Sequence, residues 1–403
     1  MKTSIIYILL SFLSGTTLFS SCSNNDDGPA VTTGYSFSIL YPGNFKDINA
    51  SGATITLTNA VTGVSASQES DASGLASFSS LLPGNYNISV SKNLSSAEAL
   101  AQTGREGELF LSASLSNYAI PAEGGSYEIQ LAGSNTGGFV LKEIYFSGAP
   151  ASGSYSNDQF YEIYNNSSST LYADSLCIGD VVGSPYLSAS SKPSGFKSDD
   201  KNVYFINLMM ITGDGRTYPV EPGKSILIAR SAINHHSDPS GNPQSPVDLG
   251  TGVADFEVYR EESGRDTDNP DVPNLKILYF ATATLFDWIP YVFGPSIVIF
   301  KHPDPAGLPY IVEPGANTTR TYPQLPVSYV IDAVDCISKG APAEFKRLPV
   351  SLDAGYQSAS NSYSGESIRR KVKTTVNDRK LLQDTNNSSN DFELISPPTP
   401  KGW

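Results

Sequence analysis

The sequence predicts an all-β protein made of two β-sandwiches in tandem. Three observations lead there. Alternating apolar and polar residues, rich in Val, Ile, Thr, Tyr and Phe, recur along almost the whole chain. Examples are Ala53-Thr54-Ile55-Thr56-Leu57-Thr58, Tyr86-Asn87-Ile88-Ser89-Val90, Tyr127-Glu128-Ile129-Gln130-Leu131 and Ser296-Ile297-Val298-Ile299-Phe300. That period belongs to strands with one buried face. Turn formers are abundant, with 34 Gly and 27 Pro, and they punctuate these runs. Helical spacing is confined to the stretch from Ser95 to Gln102. Many short strands without intervening helices favour sandwiches. At about 150 residues per domain, 403 residues make two or three domains.

The N-terminus reads as an export leader. Lys2 is the only charge before Cys22, and an apolar run follows it from Ile5 to Leu13. The run is too short for a permanent membrane span and suits a signal peptide of residues 1–21. Leu18-Phe19-Ser20-Ser21-Cys22 resembles a bacterial lipobox, with Phe19 where the consensus has Leu. The resemblance implies that Cys22 is lipidated, and several acyl chains hold a protein stably at a membrane. Loss of Lys2 takes the net charge from −14 to −15. Ser23, Asn24, Asn25, Asp26 and Asp27 follow and resemble the acidic export signal of Bacteroidetes surface lipoproteins. Residues 22–34 then form an acidic tether.

Residues 35–135 are expected to form the first sandwich. Pro83-Gly84 is a tight turn between strands, and Gly74 closes a turn opened by Asp71. The order Asp71, Gly74, Ala76, Phe78, Leu81, Pro83, Gly84, Tyr86, Ile88, Val90 resembles the prealbumin-like, carboxypeptidase regulatory-like modules. The resemblance implies a spacer or stalk.

Residues 136–403 are expected to form the second. The succession Phe160-Tyr161-Glu162-Ile163-Tyr164-Asn165, Ser225-Ile226-Leu227-Ile228, Val330-Ile331-Asp332-Ala333-Val334-Asp335, Ser367-Ile368-Arg369-Arg370 and Asp391-Phe392 with Pro398-Thr399-Pro400 resembles the lamin-tail domain. The resemblance implies an immunoglobulin-like sandwich. This stretch is about twice the length of that domain, so insertions are expected at 182–202, 235–253, 259–275 and 340–365. The whole chain resembles an uncharacterised family of Bacteroidetes outer-membrane lipoproteins that pair these two modules.

Candidate sites are few. His235, His236 and Asp238 could supply metal ligands, but adjacent imidazoles do not easily converge on one ion and no His-x-x-x-His spacing is present; His302 stands alone. Asp266, Asp268, Asn269 and Asp271 offer hard oxygen ligands for Ca²⁺, but Pro270 and the absent central Gly break the loop pattern. Asp199 and Asp200, between Ser198 and Asn202, are a weaker set. Cys177 and Cys336 could pair outside the cytoplasm if their Cα atoms approach within about 7 Å. Arg369-Arg370-Lys371-Val372-Lys373 with Arg379-Lys380 is the one basic stretch. It reads as a charged face paired with acids, too small a field for nucleic acid. Tyr310, Tyr322, Tyr356 and Tyr363 suggest ring stacking with sugars, and Phe286 to Phe293 is the densest aromatic segment. No nucleophile–base set is visible.

The sequence therefore predicts a non-catalytic, surface-anchored lipoprotein on the outer membrane. It would bind a glycan or protein ligand, with loop insertions on a rigid scaffold as the recognition surface. A TonB-dependent transporter is the expected partner. No cofactor and no nucleic acid are expected. The alternative is a structural or adhesive surface protein, and the third reading is a hydrolase with an unrecognised site.

Overall fold

The structure, a computed structural model, describes residues 31–43, 45–103, 109–133, 138–150, 155–376 and 378–403. Cys22 and the acidic segment Ser23–Asp27 lie outside the described residues.

The first module holds β1 (Thr33–Leu40), β2 (Thr54–Asn59), β3 (Ser65–Glu69), β4 (Leu75–Leu81), β5 (Gly84–Leu94), α1 (Ser96–Thr103), β6 (Leu109–Ile120), β7 (Gly125–Gln130) and β8 (Ala132–Gly133). They form a three-stranded sheet, β4-β1-β7, and a five-stranded sheet, β3-β2-β5-β6-β8. The inward residues of the alternating runs meet between the sheets: Phe37, Ile39, Ile55, Leu57, Ile88, Val90 and Leu111 are almost fully buried. β1 begins at Thr33, so the fold claims the last two residues that the sequence assigns to the tether. The helical stretch at Ser95 forms α1 because Ser95 and Glu98 cap it reciprocally. The Ser95 N–H donates to Glu98 Oε2 (2.8 Å), and the Glu98 N–H donates to Ser95 Oγ (3.4 Å).

The second module continues with β9 (Phe139–Tyr145), β10 (Phe160–Asn165), β11 (Leu171–Tyr172), β12 (Cys177–Val181), β13 (Asn202–Met210), β14 (Pro219–Val220), β15 (Ser225–Ala229) and β16 (Phe256–Glu257). Then come β17 (Lys276–Phe280), β18 (Ser296–Phe300), β19 (Tyr310–Val312), β20 (Thr321–Pro326) and β21 (Val330–Asp335). The chain ends with β22 (Ser367–Arg370), β23 (Val372–Val376), β24 (Arg379–Leu382), α2 (Ser388–Asp391) and β25 (Phe392–Ile395). One sheet runs β16-β15-β10-β9-β22-β25. The other runs β19-β20-β13-β12-β18-β21, with β17 pairing β13. β23 and β24 form a separate hairpin.

Leu141, Ile144, Tyr161, Ile163, Ile178, Trp288, Ile297, Ile299 and Val334 fill the space between these sheets. The alternate residues do not face water. Cys177, Phe205, Val298 and Phe300 pack against Leu308 and Leu348 on the far side of one sheet. Tyr145, Phe160 and Leu227 pack against Val247, Leu249 and Val272 on the far side of the other. Central strands such as β18 are thus buried on both faces, which is why Ser296–Phe300 is nearly all apolar. The insertions expected at 182–202, 235–253, 259–275 and 340–365 carry no strand except the first residue of β13, Asn202. Much of their apolar content covers sheet, and Trp288 of the dense aromatic segment is core.

The disulfide is corrected. Both Cys177 and Cys336 are free, buried thiols. Cys177 pairs with Phe300 at one end of β18, while the Cys336 N–H bonds to Pro295 at the other end. With β18 between them, strand spacing and residue rise separate the two by about 20 Å, far beyond disulfide reach. Burial pushes the Cys177 thiol up to about 12 and raises that of Cys336 well above the usual thiol range. In a chain lacking its first 30 residues, a thiol reagent should label neither cysteine natively and both in denaturant without reductant. Absence of labelling in denaturant would reveal a bridge and sink this assignment.

Candidate cleft between the modules

The chain passes from the first sandwich to the second between β8 and β9, and a cavity of about 560 Å³ lies at this junction. The first module contributes the end of β5 (Asn93, Leu94), the start of α1 (Ser95, Glu98) and Leu109 of β6. The second contributes Gly138, Phe139 and Val140, the turn residues Asn166 and Ser167, and Ile331. Lys373 and Thr374 of β23, Arg379, Leu381 and Leu382 of β24, and Asp384 just beyond it close the lining.

Local chemistry fixes these walls. Gly138 has φ of +139°, and a Cβ there would sit 2.7 Å from Ser167 Cβ and 2.8 Å from Leu171 Cδ1. Only glycine brings the backbone so near the turn. The Asn166 side chain clamps the hairpin as a strand would. Its Nδ2 donates to the Leu382 carbonyl (3.1 Å), and its Oδ1 accepts from the Leu382 N–H (2.8 Å). Tyr164 OH donates to the Lys380 carbonyl at 2.6 Å. Arg379 Nη1 donates to the carbonyls of Asn166 and Ser167. Across the junction, Ser114 Oγ donates to the Val350 carbonyl (3.0 Å), and Asn386 Nδ2 donates to Ser112 Oγ (2.5 Å).

Both carboxylates in the lining are engaged. Glu98 caps α1, and hydrogen bonds from the Ser95 side chain and backbone hold its pKa below the usual range. Asp384 accepts from Arg370 Nη1 at 3.1 Å. Arg370 itself is buried beneath the cleft, bonded to Asp332 at 2.5 Å.

The basic stretch divides accordingly. Arg370 turns inward. Arg369 pairs with Glu393 at 3.1 Å, Lys371 donates to the Asn390 carbonyl, and Lys380 lies 3.8 Å from the Trp403 ring centre. Lys373 and Arg379 reach the cleft.

Other sequence candidates do not assemble. His235 is fully buried rather than in a solvated loop. Its Nε2 lies 2.9 Å from the Ser231 carbonyl and must donate, so Nδ1 accepts from Tyr155 OH at 2.6 Å. Burial lowers its pKa to about 4, so it is neutral. His236 is exposed, and Asp238 binds Ser240 in its own turn. The His302 ring packs against Tyr329.

Three of the four Ca²⁺ candidates spend side-chain oxygens on loop contacts. Asp266 accepts from the N–H groups of Arg260 and Thr267, Asp268 from Asn274, and Asn269 Oδ1 from the Asp271 N–H. Asp199 accepts from Lys201, Asn202 and Tyr204. Among the described residues, no group of three or more His, Cys, Asp or Glu could hold a metal ion. Tyr310 is exposed, Tyr322 is buried against Phe196, and Tyr356 and Tyr363 are half-buried. Neither they nor the four insertions line the cleft.

Asn93, Leu94, Glu98, Leu109, Asn166 and Asp384 escaped sequence reasoning, because nothing local marks residues that meet across two modules. One signal existed for the wall. Residues 369–380 carry six cations and a single acid in a chain of net charge −14.

Fold and cleft define an all-β protein of two sandwiches with a cavity where they meet. Residues 221–399 match the family model described as protein of unknown function (DUF4876). The crystal structure of a DUF4876 family protein from Bacteroides thetaiotaomicron is similar over 90% of this chain and 94% of that one, at 25% identity and a TM-score of 0.58. A candidate adhesin from Bacteroides ovatus is 9% identical over 81% of this chain and 93% of that one, but its TM-score of 0.20 is too low to bear on fold or function. No curated protein matches.

Several buried carboxylates carry raised pKa values away from the cleft. Asp158 is fully buried, and burial raises its pKa to about 6, although Ser245 and Tyr145 donate to it. A carboxyl raised on folding stabilises the fold below its unfolded value, and that contribution is lost as pH rises through about 6. Asp158→Asn cannot ionise. Its stability relative to the parent should therefore improve by up to ~3 kcal/mol from about pH 4 to pH 7.5. Parallel denaturant titrations measure this, and a pH-independent difference would refute it.

Proposed function

We propose that this is a non-catalytic binding protein displayed at the cell surface, with the first sandwich as stalk and the inter-module cleft as its binding site. The cavity of about 560 Å³ carries the reading. It falls within the roughly 300–1,000 Å³ of sites that enclose small ligands. Its lining sets apolar side chains such as Leu94, Leu109, Phe139, Val140 and Leu381 beside polar and charged ones, so it can both enclose and orient a ligand. A flat adhesive face would require no such cavity. A hydrolase working through a carboxylate pair would need those carboxylates free, whereas Glu98 caps a helix and Asp384 is bound to Arg370.

Lipidation of Cys22 would anchor the chain in the outer membrane, and Ser23–Asp27 would direct it outward. A TonB-dependent transporter is the proposed partner, and the ligand, a glycan or protein fragment, its cargo. The family resemblance and the leader support this placement.

Thr374→Trp should fill the cleft from the hairpin side without touching the core. It should abolish ligand binding while leaving the melting temperature within a few degrees of the parent, as calorimetry would show. Affinity purification of the lipidated protein from gently solubilised outer membranes should recover a stoichiometric β-barrel transporter. Recovery of the lipoprotein alone would remove the transporter from the proposal and leave the cleft untouched.

A further inference from the structure

We infer that the cleft recognises a carboxylate carried on a compact, partly apolar body of about two or three sugar or amino-acid units. The inference rests on the cleft being the binding site and specifies its ligand class.

The cations of the basic stretch differ in what already engages them. Of the six cations in residues 369–380, Arg370 is buried among acids, Arg369 pairs with Glu393, Lys371 bonds to a carbonyl and Lys380 lies over Trp403. Lys373 is exposed, lines the cleft, and has no hydrogen bond or ion pair with the described residues. Arg379 uses Nη1 on two backbone carbonyls and leaves its other donors unused among the described residues. The acids are not equally free. Glu98 is turned to its own helix cap, and Asp384 to Arg370. The cleft therefore offers the uncommitted ammonium of Lys373 and the remaining donors of Arg379, whose carbonyl bonds leave its charge unneutralised, against apolar walls made by Leu94, Leu109 and Leu381.

The overall charge selects among anions. A chain of net charge −14 repels a polyanion more with every added charge, and two cations offset little of that. A single carboxylate gains the charge-assisted bonds and meets the least repulsion. Acidic oligosaccharides and short peptides with a free C-terminus share this chemistry.

The mature protein would be titrated by calorimetry, in low salt, with di- and trisaccharides that each carry one uronate and with N-acetylated apolar tripeptides. Each probe would be compared with its methyl ester or amide. Acids should bind about tenfold more tightly than their neutral forms. Lys373→Met should erase that preference and Lys373→Arg should keep it. The arm that binds identifies sugar or peptide as the source. If neutral forms bind as tightly as acids, and Thr374→Trp abolishes both, the carboxylate inference fails and the cleft stands. If no probe binds at millimolar concentration, the inference is overturned. If binding occurs but survives Thr374→Trp, the cleft reading itself falls.

Discussion

The guanidinium of Arg370, buried between the two sheets of the second sandwich, meets three carboxylates at once: Asp332 at 2.5 Å, Asp384 at 3.1 Å and Asp391 at 3.7 Å. Its Nε also donates to the Leu141 carbonyl at 2.9 Å, while the Leu141 N–H donates to Asp332 Oδ2 at 2.6 Å. One side chain thus joins β22, β9 and β21, which belong to different sheets, to the segment that follows β24. Burial raises the pKa of Asp332, and the guanidinium opposes that rise. Such an arrangement adds little net stability compared with a well-packed apolar core. Breaking it leaves uncompensated charge inside, at a cost of about 3–5 kcal/mol. It ties β21 to β9 and β22, and the same guanidinium holds Asp384, which lines the cleft.

The same economy runs through the rest of the second module and accounts for the acidity of the chain. Long irregular segments carry backbone N–H groups that no strand can satisfy, and buried ones must find acceptors. Carboxylates supply them. Asp335 accepts from the N–H groups of Arg347 and Leu348, and Asp353 from those of Asp335, Gly355 and Ser388. Glu257 accepts from those of Ala232 and Asn269, and Asp174 from those of Gly215, Thr217 and Tyr218. Glu143 and Glu162 bind the closing segment at Thr399 and Lys401. Many of the acids are therefore structural acceptors. Groupings such as Asp266, Asp268 and Asn269 look like ligand sets in the sequence but serve their own loops.

Period-two alternation was legible wherever one face of a strand is buried, as in β2 and β5. β18 was legible instead from its run of Ile, Val and Phe, because both of its faces are covered and the alternation is lost. Less local features were hidden. His235 lies in a turn-rich stretch that suggests solvent, yet Tyr155 and the Ser231 carbonyl satisfy it inside. Cys177 and Cys336 sit in similar strand patterns, but distance along β18 keeps them apart. The cleft was least legible of all. Leu94 and Leu109 resemble any strand-end leucines until β24 is set against them, and that placement depends on Asn166 imitating a strand more than two hundred residues away. The insertions drew attention by their length, but they are largely covers for sheets.

Engaged acids and unengaged cations meet at the β23–β24 hairpin. Where acids are consumed by loop closure, the positive charge left without a partner is the more informative quantity. The hairpin keeps its cations at the edge of a cavity instead of pairing them all. Lys380 shows the tension: desolvation, then repulsion from Lys142 and Arg369, lowers its pKa, and the Trp403 ring receives its ammonium. Lys373 has no such relief among the described residues. An unpaired ammonium beside a partly apolar cavity gains most when an anion of limited size arrives with it, because the anion offsets the field while its body displaces water from the leucines. Charge that the fold does not use internally is thereby available to a ligand, and the junction of the two sandwiches is where that charge and a cavity coincide.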